Sequence, residues 1–321
     1  MRVLLALVLV VGAAAPLAQA HLPFERPYVQ AGEGARTVNV TVDGPRARFE
    51  MTQDDDPLLD LVRHEMDLAR GIVRVEHRRD PPSAGDAIFA EWRLARVVEY
   101  RDANRNFLFD AGDTVARAWR PASYAWNVTG PAPARVGDLT VQLVTWNGSA
   151  PTGPAIRFQA AAAGRDFTDE GARVRPQDVA LYLQMDGFSG RGVGNLYALE
   201  AQVVAREGSS AVEETSPNGT FGLHVDLGGR RAYLVWGAQA TLDGAETDVA
   251  FTLGEATVAD GNVTWPAIWH FPLFDRSARM VMVSAVEYPL PTERPSPGME
   301  AGLVGALGAL LLAGLARKAR R

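Results

Sequence analysis

The amino-acid sequence predicts an all-β fold of the β-sandwich type, and three observations support this class. Most of the chain consists of short runs in which apolar residues alternate with polar ones or cluster together. Gly, Pro, Asn and Asp separate these runs, as is typical of sheets connected by tight turns. The part between the chain ends is long enough to bury a core without disulfides, and the chain has no cysteine. We therefore expect a secreted β-sandwich ectodomain with two domains, residues 21–150 and 151–290.

In the first half, the alternating run TVNVTV opens a series of candidate strands. One segment is ambiguous. Asp56 and Pro57 fit the N-cap and first position of a helix, and apolar residues follow as far as Met66, but a strand fits as well. The candidate strands of this half are 37–42, 47–51, 71–77, 89–100 and 114–119.

The second half follows a stretch rich in Pro and Gly at 147–154, which suggests the boundary between the two domains. Its apolar and alternating runs predict further strands. They are 156–160, 178–185, 196–204, 221–227, 232–242 and 280–288.

The first 20 residues have the pattern of a secretory signal peptide. A single basic residue precedes the apolar run 3–12, and Ala-Gln-Ala at 18–20 has the spacing of a cleavage site. An uncleaved anchor is the alternative, but the apolar run is short for a membrane span of about 20 residues. We expect cleavage after residue 20, which makes His21 the mature N-terminus.

The other end of the chain is predicted to be a membrane anchor. Residues 301–316 carry no charge, and with the residues from 299 they just span a bilayer core. A basic tail at 317–321 follows, which the positive-inside rule leaves in the cytoplasm. A buried core helix is the alternative, and the basic ending argues against it. We expect a transmembrane anchor at 299–316 after a Pro-rich stalk at 291–298, with the ectodomain at the cell surface.

This tail also has a family resemblance. Pro297 and Gly298, the short apolar helix and the terminal basic cluster resemble the PGF-CTERM sorting tail of archaeal surface proteins, with Met299 where that family has Phe. The resemblance covers residues 297–321 alone. It implies an archaeal surface protein whose tail is removed by a sortase-like enzyme and replaced with a lipid, and it implies nothing about the ectodomain.

Glycosylation sequons are unusually frequent. Five of the eight Asn residues lie in N-x-[ST], although Ser and Thr together make only 27 of 321 residues and fewer than one sequon is expected by chance. This excess indicates a glycosylated surface protein. The five residues are Asn39, Asn127, Asn147, Asn218 and Asn262.

Composition excludes several kinds of chemistry. Residues 21–299 have 27 basic and 37 acidic residues, a formal charge of −10, which disfavours a nucleic-acid partner. The absence of cysteine excludes disulfides, thiol catalysis and thiolate metal sites. The single lysine is Lys318 in the tail, so the ectodomain has no lysine for a Schiff base.

The stretch RDANRNFLFDAGD at 101–113 is the clearest candidate site. An EF-hand-type loop has oxygen ligands at positions 1, 3, 5, 7, 9 and 12, and hard cations such as calcium need six to eight of them. Counting from Asp102 places a suitable ligand at every one of these positions. The predicted ligands are Asp102, Asn104, Asn106, the Leu108 carbonyl, Asp110 and Asp113.

Two departures set this loop apart from a helix-loop-helix site. Position 6 is Phe107 where a Gly normally makes the sharp turn, and position 12 is Asp113 in place of the longer Glu. The flanking residues predict strands. We expect a structural site with a weak affinity of roughly 10⁻⁴ to 10⁻³ M. The alternative is a hairpin loop in which Asp and Asn form Asx turns.

Two enzyme hypotheses compete with a structural or binding role. A mature N-terminus at His21 resembles the copper-binding histidine brace of lytic polysaccharide monooxygenases, which implies a second His ligand among His64, His77, His224 and His270. Acid pairs at 169–170 and 213–214 suit glycoside hydrolysis if their carboxylates lie about 5 to 10 Å apart.

A binding role implies a surface protein or a carbohydrate as partner. Trp265 and Trp269 can stack on a sugar if they are exposed, whereas aromatic residues in strands are by default buried in the core.

Overall fold

The computed structural model describes residues 36–53, 61–78, 88–188, 195–215, 220–227 and 230–287. Within these ranges the chain forms 22 β-strands and one short 3-10 helix, Pro121–Ser123, which confirms the all-β prediction. The signal peptide, the stalk, the anchor, the basic tail and Asn218 lie outside the described residues. The strand Leu61–Asp67 shows that the strand alternative holds at the end of the ambiguous segment.

The first eleven strands are β1 (Arg36–Asp43), β2 (Arg46–Gln53), β3 (Leu61–Asp67), β4 (Ile72–Arg78), β5 (Ile88–Arg101), β6 (Thr114–Trp119), β7 (Ala125–Val136), β8 (Leu139–Ser149), β9 (Ala155–Ala162), β10 (Phe167–Asp169) and β11 (Ala172–Val174). The remaining strands are β12 (Val179–Asp186), β13 (Asn195–Arg206), β14 (Ser210–Thr215), β15 (Thr220–Leu227), β16 (Arg230–Gly237), β17 (Gln239–Leu242), β18 (Ala245–Asp248), β19 (Ala250–Leu253), β20 (Thr257–Ala259), β21 (Asn262–Phe271) and β22 (Ser277–Glu287).

Two large antiparallel sheets form the fold. Sheet 1 has the order β1-β2-β3-β4-β5-β13-β21-β19, with β6 paired to β5 and β20 to β21. Sheet 2 has the order β14-β15-β16-β22-β12-β9-β8-β7, with β17 paired to β22 and to β18. Each sheet takes strands from both sides of residue 150, since β5 pairs with β13 and β8 pairs with β9. The boundary predicted near residue 150 therefore does not separate the two sheets.

The main core lies between the sheets, as expected for a sandwich. Alternate residues of each strand point into it: Phe49 and Trp92 from sheet 1 belong to the same buried cluster as Trp146, Phe158 and Leu181 from sheet 2. Burial of each such side chain contributes about 1.5–3 kcal/mol to folding. This cluster fixes how the two sheets face each other.

Sheet 2 is also buried on its outer face. The short hairpin β10–β11 places Phe167 and Val174 against Ala180 and Tyr182 of β12 in a second apolar cluster. This explains why β12 is apolar at nearly every position, because a strand covered on both faces has no reason to alternate. The outer face of sheet 1 is polar and charged on β2 to β4, but where β5 meets β13 it carries a third apolar cluster of Val98, Tyr100, Leu196 and Ala198.

Candidate metal loop between strands β5 and β6

The loop between β5 and β6 contains all the residues assigned above to a metal site. β5 ends at Arg101 and β6 begins at Thr114, and these two residues pair across the hairpin. The connection 102–113 is therefore a strand-loop-strand unit, as its flanking residues predict. The pairing of β5 with β6 therefore holds the two ends of the loop close together.

Asp102 organises the first turn of the loop. Its Oδ1 accepts hydrogen bonds from the backbone N–H groups of Arg105 at 2.7 Å and Asn106 at 3.3 Å. Its Oδ2 accepts one from the N–H of Phe107 at 2.8 Å. Because three backbone N–H groups donate to one carboxylate, the backbone curls around the side chain of Asp102. This residue aligns with position 1 of a calcium loop.

Position 6 has the backbone conformation that glycine normally provides there. Phe107 has a φ of 62°, in the left-handed region, although a residue with a side chain is disfavoured in this region by roughly 1–2 kcal/mol. The side chain is 66 % exposed, so packing does not hold it in place. The hydrogen bond from the N–H of Phe107 to Asp102 holds the backbone in this conformation. The sharp turn therefore forms although position 6 is not Gly.

Two amides and a carboxylate meet inside the loop. Nδ2 of Asn104 and Nδ2 of Asn106 donate to Oδ2 of Asp110 at 2.8 and 3.1 Å. The Oδ1 atoms of the same amides accept backbone N–H groups, Asn104 from Asn106 at 3.1 Å and Asn106 from Leu108 at 2.8 Å. In this arrangement the amides satisfy Asp110 and the backbone directly, as the Asx-turn alternative requires.

The second half of the loop is closed by Asp110 and Asp113. Oδ1 and Oδ2 of Asp113 accept the N–H groups of Ala103 and Asp110, both at 2.9 Å. Oδ1 of Asp110 accepts the N–H of Gly112 at 2.8 Å. This N–H and then the two Asn amides lower the pKa of Asp110. The carboxylate is therefore ionised and available to a cation in neutral solution.

A buried histidine attaches the loop to sheet 1. The N–H of Phe109 donates to Nδ1 of His270 on β21 at 2.9 Å, and the Phe109 ring packs on Tyr100 with 4.9 Å between centroids. Burial lowers the pKa of His270 to about 4, with Asp113 acting in the opposite direction. Nδ1 is thus an acceptor at neutral pH. No pattern in the sequence indicates this contact, since His270 is far from the loop along the chain.

The aspartates give the loop a negative electrostatic potential, but their carboxylates are not grouped closely enough to share a metal ion by themselves. Burial raises the pKa of Tyr100, and the charges of Asp102, Asp113 and Asp110 raise it further. Across the described residues, no group of three or more His, Asp or Glu side chains is positioned to share a metal ion. A calcium ion here would therefore need amide, carbonyl or water oxygens in addition to carboxylates.

Four of the five sequons lie on described strands. Asn39 on β1 and Asn127 on β7 are exposed, and Asn147 on β8 is directly opposite Asn127. Oδ1 of Asn147 accepts a hydrogen bond from Nε of Arg157 at 3.2 Å. Asn262 begins β21, and its Nδ2 donates to the carbonyl of Asp260 at 3.2 Å. All four amides therefore lie on strand faces or at a turn.

The four histidines considered as second ligands of a histidine brace are buried on four different strands. His64, His77, His224 and His270 have at most 4 % of their surface exposed. His21 lies outside the described residues. Nothing on the described surface presents an imidazole to an N-terminal partner.

The acid pairs are involved in other interactions or are only partly described. Asp169 accepts a short hydrogen bond from the hydroxyl of Tyr182, and Glu170 forms an ion pair with Arg279. Glu213 is exposed, with a pKa raised by partial burial. The side chain of Glu214 is outside the described part. These contacts stabilise the outer face of sheet 2.

The stacking-platform hypothesis for the two tryptophans is wrong. Trp265 and Trp269 are 7 % and 1 % exposed, because β21 directs both rings into the core. Trp269 packs edge-on against Trp236 with 5.3 Å between ring centroids. They contribute to folding and are not accessible to a sugar.

A cavity of about 560 Å³ beside β6 was not expected from the sequence. Trp119 forms one wall, packed so closely on Gly153 that a Cβ there would lie 2.6 Å from the indole. The guanidinium of Arg117 lies over the same ring, 5.4 Å from its centroid, and pairs with Glu99. A cavity with an aromatic wall and polar rim has the general form of a ligand site.

Comparisons with known proteins give no further direction. No family model matches the chain, and no curated protein matches it. Within the described ranges there is no helix with the length and apolar character needed to cross a bilayer. The predicted anchor at 299–316 lies outside these ranges.

Proposed function

We propose that the chain is a membrane-anchored, glycosylated cell-surface β-sandwich protein with a structural or binding role, in which calcium stiffens the loop 102–113. The anchor, the signal peptide and the sequon excess support the location. The preferred partner class is another surface molecule, a protein or a carbohydrate, and the cavity beside Trp119 is where a small ligand would fit.

One observation carries the calcium proposal. The loop reproduces the left-handed turn of a calcium loop at Phe107 although this residue is not glycine, and it does so around the carboxylate at position 1. Such a conformation is costly for Phe, and it persists because Asp102 accepts the N–H groups of Arg105, Asn106 and Phe107. The amides at positions 3 and 5 donate to the carboxylate at position 9, which brings these three side chains together.

Thermal unfolding of the full chain, in excess EDTA and in calcium, tests the proposal. At a hundredfold excess over Kd, a site present only in the folded state adds about 2.7 kcal/mol, and the unfolding midpoint is expected to rise by about 5 °C. Asp102→Ala combined with Asp110→Ala is expected to abolish this rise. Magnesium is expected to act less strongly, because it requires shorter bonds and a stricter geometry.

Asp138→Ala is the matched control. It removes one exposed carboxylate in the β7–β8 turn, outside the loop. The control is expected to retain the full calcium response. If calcium at a hundredfold excess over the expected Kd of roughly 10⁻⁴ to 10⁻³ M leaves the parent midpoint unchanged, the loop is an Asx-turn hairpin and the metal part of the proposal is wrong.

A further inference from the structure

An unprotected edge strand is a template for pairing with another chain. Among the described residues, the main path of sheet 1 ends at the edge strands β1 and β19 and that of sheet 2 at β7 and β14, while β6, β18 and β20 are shorter strands beside these paths. Proteins protect such edges with prolines, bulges, short strands or charges. These four edges differ in which of these devices they have.

Three of the edges have conventional protection. β7 contains Pro131 and Pro133, which lack an N–H, and its register with β8 shifts between Thr129 and Ala132. β19 has only four residues. β14 has six residues and carries the exposed acid Glu213. Each of these features makes the addition of another strand unfavourable.

β1 has none of these features after its first residue, Arg36, whose N–H donates to the carbonyl of Gly164 at 2.9 Å. Its eight residues, RTVNVTVD, pair with β2 in continuous register without a bulge, and they include neither Pro nor Gly. Val38, Val40 and Val42 pack against the core, while Thr37, Asn39 and Thr41 are exposed. β-Branched residues at this density strongly favour strand pairing. The charged residues of β1 are limited to its two ends, Arg36 and Asp43.

The sequon of β1 is at its centre. Asn39 is exposed, and Thr41, which completes the motif, is exposed on the same face. A glycan on Asn39 would extend from the middle of the edge strand, where a partner strand would have to approach. β1 also lies close to β7, which carries the exposed Asn127 before its two prolines.

We infer that the glycan on Asn39 keeps the β1 edge from pairing with β1 of a second copy of this chain. Two β1 strands related by a two-fold axis would extend sheet 1 antiparallel, with the valine rows of both copies on the core side. The inference rests on the proposed glycosylation, and the glycan acts by excluded volume at the edge.

Thr41 variants of the full chain test this inference. The proteins are produced in a host that glycosylates N-x-[ST], and glycopeptide mass spectrometry gives the occupancy of Asn39. Light scattering after size exclusion gives the oligomeric state. Thr41→Ala removes the sequon and is expected to increase self-association at least tenfold. Thr41→Ser keeps the sequon and is expected to remain monomeric like the parent.

Two further variants separate the edge from general effects of glycan loss. Thr41→Lys removes the sequon but places a charge on the edge, and it is expected to remain monomeric. Thr264→Ala removes the sequon of Asn262 at a turn and is expected to have no effect on association.

The outcomes distinguish the inference from the glycosylation proposal. If Asn39 is occupied in the parent and Thr41→Ala stays monomeric, the edge inference alone is overturned. If Thr41→Ala and Thr41→Lys associate equally, association does not involve the β1 edge, and the inference is also overturned. If Asn39 is unoccupied in the parent, both glycosylation at this site and the inference fail.

Discussion

His64 links the two sheets through hydrogen bonds inside the core. Its Nε2 lies 2.9 Å from the carbonyl of Gln177, and its Nδ1 lies 3.1 Å from the hydroxyl of Ser284 on β22. A carbonyl only accepts, so Nε2 carries the proton and Nδ1 accepts from Ser284. Burial lowers the pKa of His64 to about 4, opposed by the hydrogen bond to Gln177 and by the charge of Asp178.

This histidine predicts a loss of stability in mild acid. The pKa of His64 is lower in the folded chain than the unfolded value of 6.5, so protons bind preferentially to the unfolded state. The stabilisation is complete above pH 6.5 and is lost as the pH falls toward 4. At pH 5 the expected loss is about 2 kcal/mol, and His270 adds a similar amount. Urea unfolding between pH 7.5 and 5 measures it.

His64→Gln separates the two contributions. Glutamine keeps an N–H donor for Gln177 but does not titrate, so the variant is expected to be less stable at pH 7.5 and to lose about half as much stability on acidification. Carboxylates with lowered pKa values, such as Asp110, affect stability only at lower pH. An unchanged pH dependence in this variant would contradict the assignment to His64.

At the scale of elements, the outer face of strands β2 to β5 in sheet 1 carries alternating charges. One row crosses four strands as Arg48, Glu65, Arg74 and Glu91, each paired in register with the next. Opposite charges directly across a sheet stabilise it, and like charges destabilise it. The alternation therefore favours the observed register of β2 to β5, because a slip by one residue would move the whole row to the core.

Glu91 is the most buried member of this row. Its side chain is not exposed, and it accepts hydrogen bonds from Nη2 of Arg74 at 2.7 Å and from Nε of Arg93. Although burial raises the pKa of Glu91, the two arginines lower it more. Glu91→Gln is expected to destabilise the fold by about 2 kcal/mol, less than for a fully buried pair because both arginines reach solvent.

Glu65→Gln in the same row is the control. Glu65 is partly exposed and lies 3.7 Å from Arg48, so its loss is expected to cost less than about 0.5 kcal/mol. Denaturant unfolding of the two variants at neutral pH gives the comparison. Equal effects would show that burial of Glu91 does not strengthen its ion pairs.

The strands that the sequence predicts are those with an unobscured apolar pattern, such as β5 and β12. β3 was ambiguous because Asp56 and Pro57 before it fit the start of a helix, and the sequence does not reveal the hydrogen bonds that accommodate His64 at an inward position of the strand. β7 was missed because its prolines suggest a loop, although an edge strand tolerates them. β21 was noticed for its aromatic residues and not for its alternation.

The candidate loop was predictable for a different reason. Its ligand series is local in sequence, so the spacing of Asp and Asn could be compared directly with a known pattern. Its attachment through Phe109 and His270 was not predictable, because that contact depends on the position of β21 in sheet 1. Neither could the sequence show that the loop satisfies its own carboxylates by hydrogen bonds.

For the whole molecule, the order of strands was the least predictable feature. Sheet pairing depends on contacts between residues far apart in sequence, and local patterns contain no information about them. β5 and β13 pair over nearly their full length although the entire series β6–β12 lies between them in the chain. As a result, the sheets and the core combine both halves of the chain.

This topology predicts that neither half folds alone. Residues 21–150 would retain β1–β6 and the pair β7–β8 but lose most of sheet 2, which exposes Phe49 and Trp92. Residues 151–290 would keep β21 beside β13 but lose β5, its other partner. We expect both fragments to lack a cooperative thermal transition and the full chain to have a single one. Calorimetry and amide exchange of the three proteins test this. A fragment with half of a shared core would bury too little apolar area to offset its conformational entropy. A cooperative transition in either fragment would therefore contradict a shared core and support two domains that meet near residue 150.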